Sequence, residues 1–256
     1  MTSLQDKVCI ITGGAGSIGA ATARLFLEQG AKVMLADLSD DALAELEAEL
    51  KQAYSEDFVM HCATDVSNSE SVKSMVDKTL SRWGNIDVVF SNAGNFGTVA
   101  PIDLYPEEVF DAVYSVHVKG AFLVSQHAVP HMNDGGSIVI TSSVAGMRGD
   151  PGVYAYITAK HAQIGLMRCL AKELAPRKIR VNSIHPGPID NGFQHAVEAD
   201  LSELIGRDGG EFFDEQTPLG RHGTAKEIAQ SVLFLASEQS SYTTGITLLA
   251  DGGMSI

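Results

Sequence analysis

At 256 residues, with 45% hydrophobic and 20% charged residues, the chain has the bulk properties of a globular protein able to bury a sizeable core, and nothing in it reads as disorder. A formal net charge of −14, from 18 basic and 32 acidic residues and with no basic run, argues against nucleic acid and anionic membrane as partners. Three scattered cysteines, Cys9, Cys62 and Cys169, sit in apolar contexts and are expected to be buried, reduced thiols; no metal cluster can be drawn from them, and no signal peptide or membrane span is legible, so the expected compartment is the cytoplasm.

Residues 7–12 (KVCIIT) form a short apolar run that ends in glycines, the pattern of a strand buried on both faces. GGAGSIG follows, then a helical pattern closed by Gly30. Residues 32–37 (KVMLAD) read as a second buried strand, and 40–53 as a helix with Leu43, Leu46 and Leu50 on one face. The alternation continues with strand 58–65, helix 69–83 and strand 86–91, then two long helices, 106–132 and 154–175, separated by strand 137–142. Strands at 179–184 and 246–250 bring the number to about seven. Strand–helix repetition of this kind predicts a Rossmann-type doubly wound parallel sheet with helices on both faces, a three-layer α/β/α fold in a single domain over residues 1–256.

One segment breaks the rhythm. Residues 187–224 are a long connection with helical fragments such as 196–205 and a Gly-rich acidic stretch, RDGGEFFDEQ. Such a connection inside a compact domain reads as a binding lid, with a purely structural excursion as the alternative. Its side chains Phe193, Ala196, Val197, Leu201, Leu204, Ile205, Phe212 and Phe213 are apolar, and no arginine cluster accompanies them.

The turn after the first strand carries Gly14-x-Gly16-x-x-Gly19 in a strand–turn–helix context. Glycines there let a pyrophosphate approach the backbone at a helix N-terminus, where amides and dipole both favour anions. Asp37 closes the second strand eighteen residues after Gly19, placed to accept hydrogen bonds from both ribose hydroxyls and to repel a 2′-phosphate, while Leu38 and Ser39 offer no cation. That predicts NAD over NADP; the competing role for Asp37 is a helix cap, which Ser39 or Asp40 could fill equally well. Asp65 and Val66 could meet an adenine, or Asp65 could be a solvated turn residue. Asn92, Ala93 and Gly94 are small enough for close backbone approach to a cofactor.

In residues 141–160 (TSSVAGMRGDPGVYAYITAK), Tyr156 and Lys160 are four apart, one turn apart on a shared helix face. A phenol is a poor base at neutral pH, and an ammonium beside it favours the phenolate. Ser143 lies thirteen residues before Tyr156, at the end of a strand.

Taken together, TGGAGSIG at 12–19, Asp37, Asp65-Val66, NAG at 92–94, the serine of SSVAG, YITAK at 156–160, HPGPI at 185–189 and TGITLLADGG at 244–253 resemble the short-chain dehydrogenase/reductase family over essentially the whole chain. The resemblance implies that Tyr156 is the general acid/base, that Lys160 lowers its pKa and holds the nicotinamide ribose, and that Ser143 polarises the substrate oxygen. It also implies cofactor contacts from Gly13, Gly16, Ser17, Ile18, Gly19, Asp37, Leu38, Asp65, Val66, Asn92, Ala93, Gly94, Pro186, Gly187 and Ile189, no metal, and a homotetramer built on the two long helices and the C-terminal segment.

Three departures from the family pattern stand out. Ser17 replaces a glycine usual in the loop, with Gly16 just before it, His117 replaces an asparagine that in the family supports proton relay, and Asn191 replaces the usual threonine after HPGPID, which leaves a carboxamide near the cofactor amide. Two roles are open to His117: a relay through a ring nitrogen, or packing that leaves the tetrad incomplete. The expected function is NAD-dependent interconversion of a small apolar secondary alcohol, alicyclic, aromatic or steroid-like rather than a carboxylate or phosphate ester, and a ketone. A catalytically impaired NAD-binding regulatory or scaffold protein is the alternative, and an epimerase or dehydratase acting on a nucleotide sugar is disfavoured because little chain follows the last strand.

Overall fold

The computed structural model describes residues 3–256, the side chain of Leu204 excepted. Its first half is β1 (Val8–Thr12), α1 (Ser17–Glu28), β2 (Lys32–Asp37), α2 (Asp40–Ala53), β3 (Val59–Ala63), α3 (Ser69–Trp83) and β4 (Ile86–Ser91). The second half is α4 (Glu107–Tyr114), α5 (Gly120–Ala128), β5 (Met132–Thr141), α6 (Tyr154–Leu174), β6 (Arg180–Pro186), α7 (Gly192–Ile205), α8 (Gly209–Gln216), α9 (Ala225–Ala236) and β7 (Thr247–Ala250).

The seven strands form one parallel sheet in the order β3-β2-β1-β4-β5-β6-β7. Side-chain alternation divides each strand between two cores. Cys9 and Ile11 of β1, with Val88 and Phe90 of β4, join Phe26, Leu43, Leu50, Ile228 and Val232 beneath α1, α2 and α9. Ile10 and Val89, one residue out of phase, pack on the other face with Val72, Met75, Val124, Ile164 and Met167 from α3, α5 and α6. Strand order reverses between β1 and β4, so a crevice opens beyond their carboxyl ends, where open α/β sheets hold ligands. No helix of the described residues is long and apolar enough to cross a membrane.

Four expectations need correction. The helix expected over residues 106–132 is interrupted: α4 passes into a π turn at Ser115–Lys119, then α5, then a 3₁₀ turn at Val129–His131. The connection 187–224 is mostly regular, because Asn191 and Asp208 accept hydrogen bonds from Gln194 and Glu211 amides and so start α7 and α8, the latter within the stretch that looked like a Gly-rich loop. Helix α9, which the sequence reading left unassigned, begins with a reciprocal capping box between Thr224 and Glu227. Of the cysteines only Cys9 is buried; Cys62 is partly exposed and Cys169 exposed, since an apolar neighbourhood in sequence does not settle which face of β3 or α6 a side chain takes.

Candidate active site

A cavity of about 720 Å³ runs along the carboxyl ends of the strands from the glycine turn to the lid helices α7 and α8. Every cofactor-binding and catalytic residue expected from the sequence lines it, with the exception of Gly19. Gly19 is buried beneath the turn, and a Cβ there would collide with the Gly13 carbonyl oxygen; its part is packing, not a cavity wall. Gly13 has φ +64, and a Cβ on it would lie 3.0 Å from the Ala93 backbone, so both conformation and space require glycine.

Helix α1 starts at the cavity wall with no side-chain cap and no acid in its first turn. Its exposed first residues thus offer amides and the positive end of the helix dipole to an anion. At the end of β2 the Asp37 carboxylate accepts from the Ala15 amide (3.1 Å) and the Leu38 amide (2.7 Å), which fixes it beside the turn. Ser39, not Asp37, caps α2. Asp65 folds back on Ser67, taking its amide at 2.9 Å and its hydroxyl at 2.7 Å, with Val66 buried next to it. Thr12 Oγ1 accepts from the amides of Asn92 (2.9 Å) and Ala93 (3.2 Å), and Thr141 donates to Asn92 Oδ1 (3.0 Å), so three strand ends are tied together behind the cavity. The groups present fit a dinucleotide: an anion-binding helix start, a fixed carboxylate for a ribose, and an apolar edge for a base.

At the other end stand Ser143, Tyr156 and Lys160. Ser143 leaves β5 in extended conformation, and its Oγ accepts from the Ala145 amide at 3.1 Å, opening a single 3₁₀ turn. Its carbonyl is held by His185 Nδ1 at 2.9 Å. Lys160, 3% exposed, donates to the Thr141 carbonyl at 2.8 Å and lies 5.2 Å from the centre of the Tyr156 ring. Burial pulls the Lys160 pKa down to about 7. Burial pushes the Tyr156 phenol up to about 12, against the opposing hydrogen bond with Ser143. The expected lowering of the phenol by Lys160 is therefore not the balance in this arrangement: the ammonium is bonded to a backbone carbonyl, and desolvation dominates.

His117 sits in the π turn, 2% exposed, edge-on to Tyr156 with ring centres 5.5 Å apart. Its Nε2 faces the backbone of Asn95, 3.1 Å from the amide and 2.7 Å from the carbonyl, so either neutral tautomer finds a partner there. Burial first, and then the charge of Lys160, push its pKa down to about 3. The ring is neutral across the physiological range, which favours the packing role and weighs against a relay that passes through imidazolium. Gly94 makes room for it, since a Cβ there would collide with the ring.

Several residues around the site lie outside the expected catalytic and cofactor sets. Phe96 follows Asn95 into the cavity; Arg148 and Asp150 line it and pair at 3.1 Å. Gln163, two turns beyond Tyr156 on α6, donates to the His117 carbonyl at 3.0 Å. Asn191 caps α7 and donates to Ser17 Oγ at 3.0 Å, joining the lid to the glycine turn. The spacing of Gln163 from Lys160 was a usable signal; for Phe96 there was none.

Comparison with known proteins places these features in company. A family model described as enoyl-(acyl carrier protein) reductase matches residues 13–255. The 3-oxoacyl-(acyl-carrier-protein) reductase FabG of Thermotoga maritima is 40% identical, the match covering 99% of each chain. Levodione reductase of Leifsonia aquatica is 35% identical over 99% of this chain and 96% of its own. A solved levodione reductase structure superposes with a TM-score of 0.94 over 98% of both chains. A blue fluorescent protein from a metagenomic library, solved with NADPH, is 30% identical with a TM-score of 0.89, covering 99% of this chain and 100% of its own.

Proposed function

The chain belongs to the short-chain dehydrogenase/reductase family, and from that premise we propose that it interconverts a secondary alcohol and a ketone, with NAD as hydride carrier. The observation that carries this reading is the meeting of Ser143, Tyr156 and Lys160 on one wall of a cavity whose far end is built for a dinucleotide. NAD, when bound, supplies the acceptor or donor for hydride at the substrate carbon.

The side chains divide the rest of the work. In the reducing direction Tyr156, a phenol held protonated by burial, donates its proton to the oxygen as negative charge grows there. Ser143 Oγ bonds the same oxygen and holds the carbonyl within reach of the phenol. Lys160 has a pKa near neutrality; in its charged form it favours the phenolate left after transfer. In the oxidising direction the phenolate is needed first, so that direction gains with rising pH. His117 holds the loop at Asn95 and Gln163 holds the π turn, supporting the site without exchanging its proton.

The preference for NAD rests on Asp37: its carboxylate is fixed where a 2′-phosphate would be repelled, and the cations lining the cavity, Arg148 and Lys160, belong to the other end. A homotetramer fits the same reading, with Phe122 of α5 and Leu249 of β7 leaving large apolar surface exposed on the expected interfaces. Sedimentation as a stable monomer would count against that assembly.

The test is a panel of alcohols and ketones with NAD(H) and NADP(H) in parallel, read at the nicotinamide absorbance. Tyr156→Phe should abolish turnover while NADH still binds; unchanged turnover would sink the mechanism. A second reading, favoured by the 40% identity to a 3-oxoacyl-(acyl-carrier-protein) reductase, keeps the reaction and makes the substrate a 3-oxoacyl thioester. An acidic carrier would meet a chain of net charge −14. Faster turnover of a 3-oxoacyl thioester than of any simple ketone would select that reading.

A further inference from the structure

We propose that Phe96 and Phe193 form an aromatic clamp at the Tyr156 hydroxyl that selects substrates whose reacting carbon is attached to a flat ring, an uncharged aryl ketone or its alcohol. The proposal rests on the reading of Tyr156 as the proton donor and specifies what the same site accepts.

The two rings come from unconnected parts of the chain. Phe96 lies in the segment after β4, and Phe193 is the second residue of lid helix α7. Their centres lie 5.4 Å and 6.3 Å from that of Tyr156, and they meet each other edge to face, 6.2 Å apart at 89°. Three rings at such distances and angles form a favourable aromatic cluster. Phe193 is nevertheless 42% exposed, so one side of the cluster is unfinished. A flat ring laid against it would cover apolar surface and add a further edge or face contact; a flexible alkyl chain would gain only the area term and lose more rotational freedom.

Polar anchors beside both phenylalanines keep the rings in place. Asn95, next to Phe96, has its amide and carbonyl against His117 Nε2. Asn191, two residues before Phe193, is bonded both to the α7 start and to Ser17. A clamp held from two sides discriminates by shape better than a mobile apolar surface does.

Arg148 is paired through Nε with Asp150 at 3.1 Å, and Gln194 beside Phe193 donates to Glu198 at 3.0 Å. Val99, Val144, Pro151 and Val197 complete an apolar wall.

The test uses two ketones of equal carbon number, acetophenone and 2-octanone, with the wild type and the Phe96→Leu, Phe193→Leu and double variants. In turnover, the ratio of kcat/KM for acetophenone over 2-octanone should favour acetophenone in the wild type and fall tenfold or more in the double variant. In calorimetric titration of the NADH-loaded Tyr156→Phe protein, acetophenone should bind more tightly, and adding both leucine substitutions should remove the difference. A wild type that turns over neither ketone but keeps the binding preference supports the clamp and counts only against the reading of the reaction. Equal binding of the two ketones, or a preference that survives the double substitution, overturns the clamp.

Discussion

Asp37→Asn is the substitution whose outcome follows most directly from geometry. The wild-type carboxylate cannot swing aside, because Ala15 and Leu38 amides hold its two oxygens at 3.1 and 2.7 Å. A 2′-phosphate brought to the adjoining ribose carries about −1.5 to −2 charges near neutral pH. Two like unit charges about 5 Å apart repel by about 3 kcal/mol at an effective dielectric of about 20, and less where solvent and salt screen them. Asparagine removes that repulsion and also weakens the hydrogen bonds to the ribose hydroxyls of NAD, by about 1 kcal/mol. A combined shift of about 2–4 kcal/mol corresponds to a roughly thirty- to thousandfold change in the NADPH-to-NADH affinity ratio. One carboxamide oxygen still accepts from the turn, so the variant should fold, and its melting temperature provides the control. Dissociation constants for NADH and NADPH from nicotinamide fluorescence, for both proteins, give the answer. The reasoning is refuted if the wild type binds the two equally or if the ratio moves less than threefold.

Arg180 is 8% exposed and donates to the carbonyls of Leu235 (2.6 Å) and Ser237 (3.0 Å) at the end of α9, so Arg180→Ala should destabilise by about 3 kcal/mol through the loss of charge-assisted hydrogen bonds, the carbonyls keeping only the neutral donors of Ser137 and Ser240. A melting temperature within about 2 °C of wild type would contradict this. His222 bridges the lid, 2.5 Å from Glu198 of α7 and 2.7 Å from Asp214 of α8, with Phe213 beside it and Arg221 occupied by Glu227. Burial lowers its pKa, but the two carboxylates outweigh burial and the net shift is upward. Its contribution is thus fully present below about pH 6.5, the unfolded value. It is lost as the pH rises through the raised folded value, so amide-exchange protection of α7 and α8 should fall in that range, in excess of the intrinsic change in exchange rate. His222→Gln should flatten the dependence, and a pH-independent wild type would end the argument.

Where the chain obeys one local rule at a time, its architecture could be read from residues alone. The runs VCIIT, KVMLAD and IDVVFS are buried on both faces, and such strands announce themselves by unbroken apolar sequence. Asp37 and the glycine turn were legible because backbone approach restricts residue type at those positions. Helix α9 was missed although Thr224 and Glu227 spell its cap, because the connection was drawn to end at residue 224 and the apolar run after it was given no element of its own. The interruption at residues 115–119 has no local signature: SVHVK is compatible with an α-helix, and the π turn is visible only with Gln163 and Asn95 in place from elsewhere in the chain. The same holds for Phe96 and Phe193, whose partnership depends on tertiary contact alone. For a related reason the spacing of Tyr156 and Lys160 gave their proximity but not their burial, which works against the charged form of both.

The π turn also sets a limit on how this protein can be improved. A helix that carries one extra residue in a turn is held in that form by its surroundings, and such turns tend to persist where a site needs them. Rewinding Ser115–Lys119 as regular α-helix with every residue kept would rotate everything on one side by about 100° relative to the other. His117 would then leave Asn95, and the loop that carries Phe96 would lose its anchor. Selection for heat resistance would favour the regular helix, and selection for turnover would oppose it. A directed-evolution campaign on this chain should therefore find thermal tolerance at many surface positions while this segment stays unchanged.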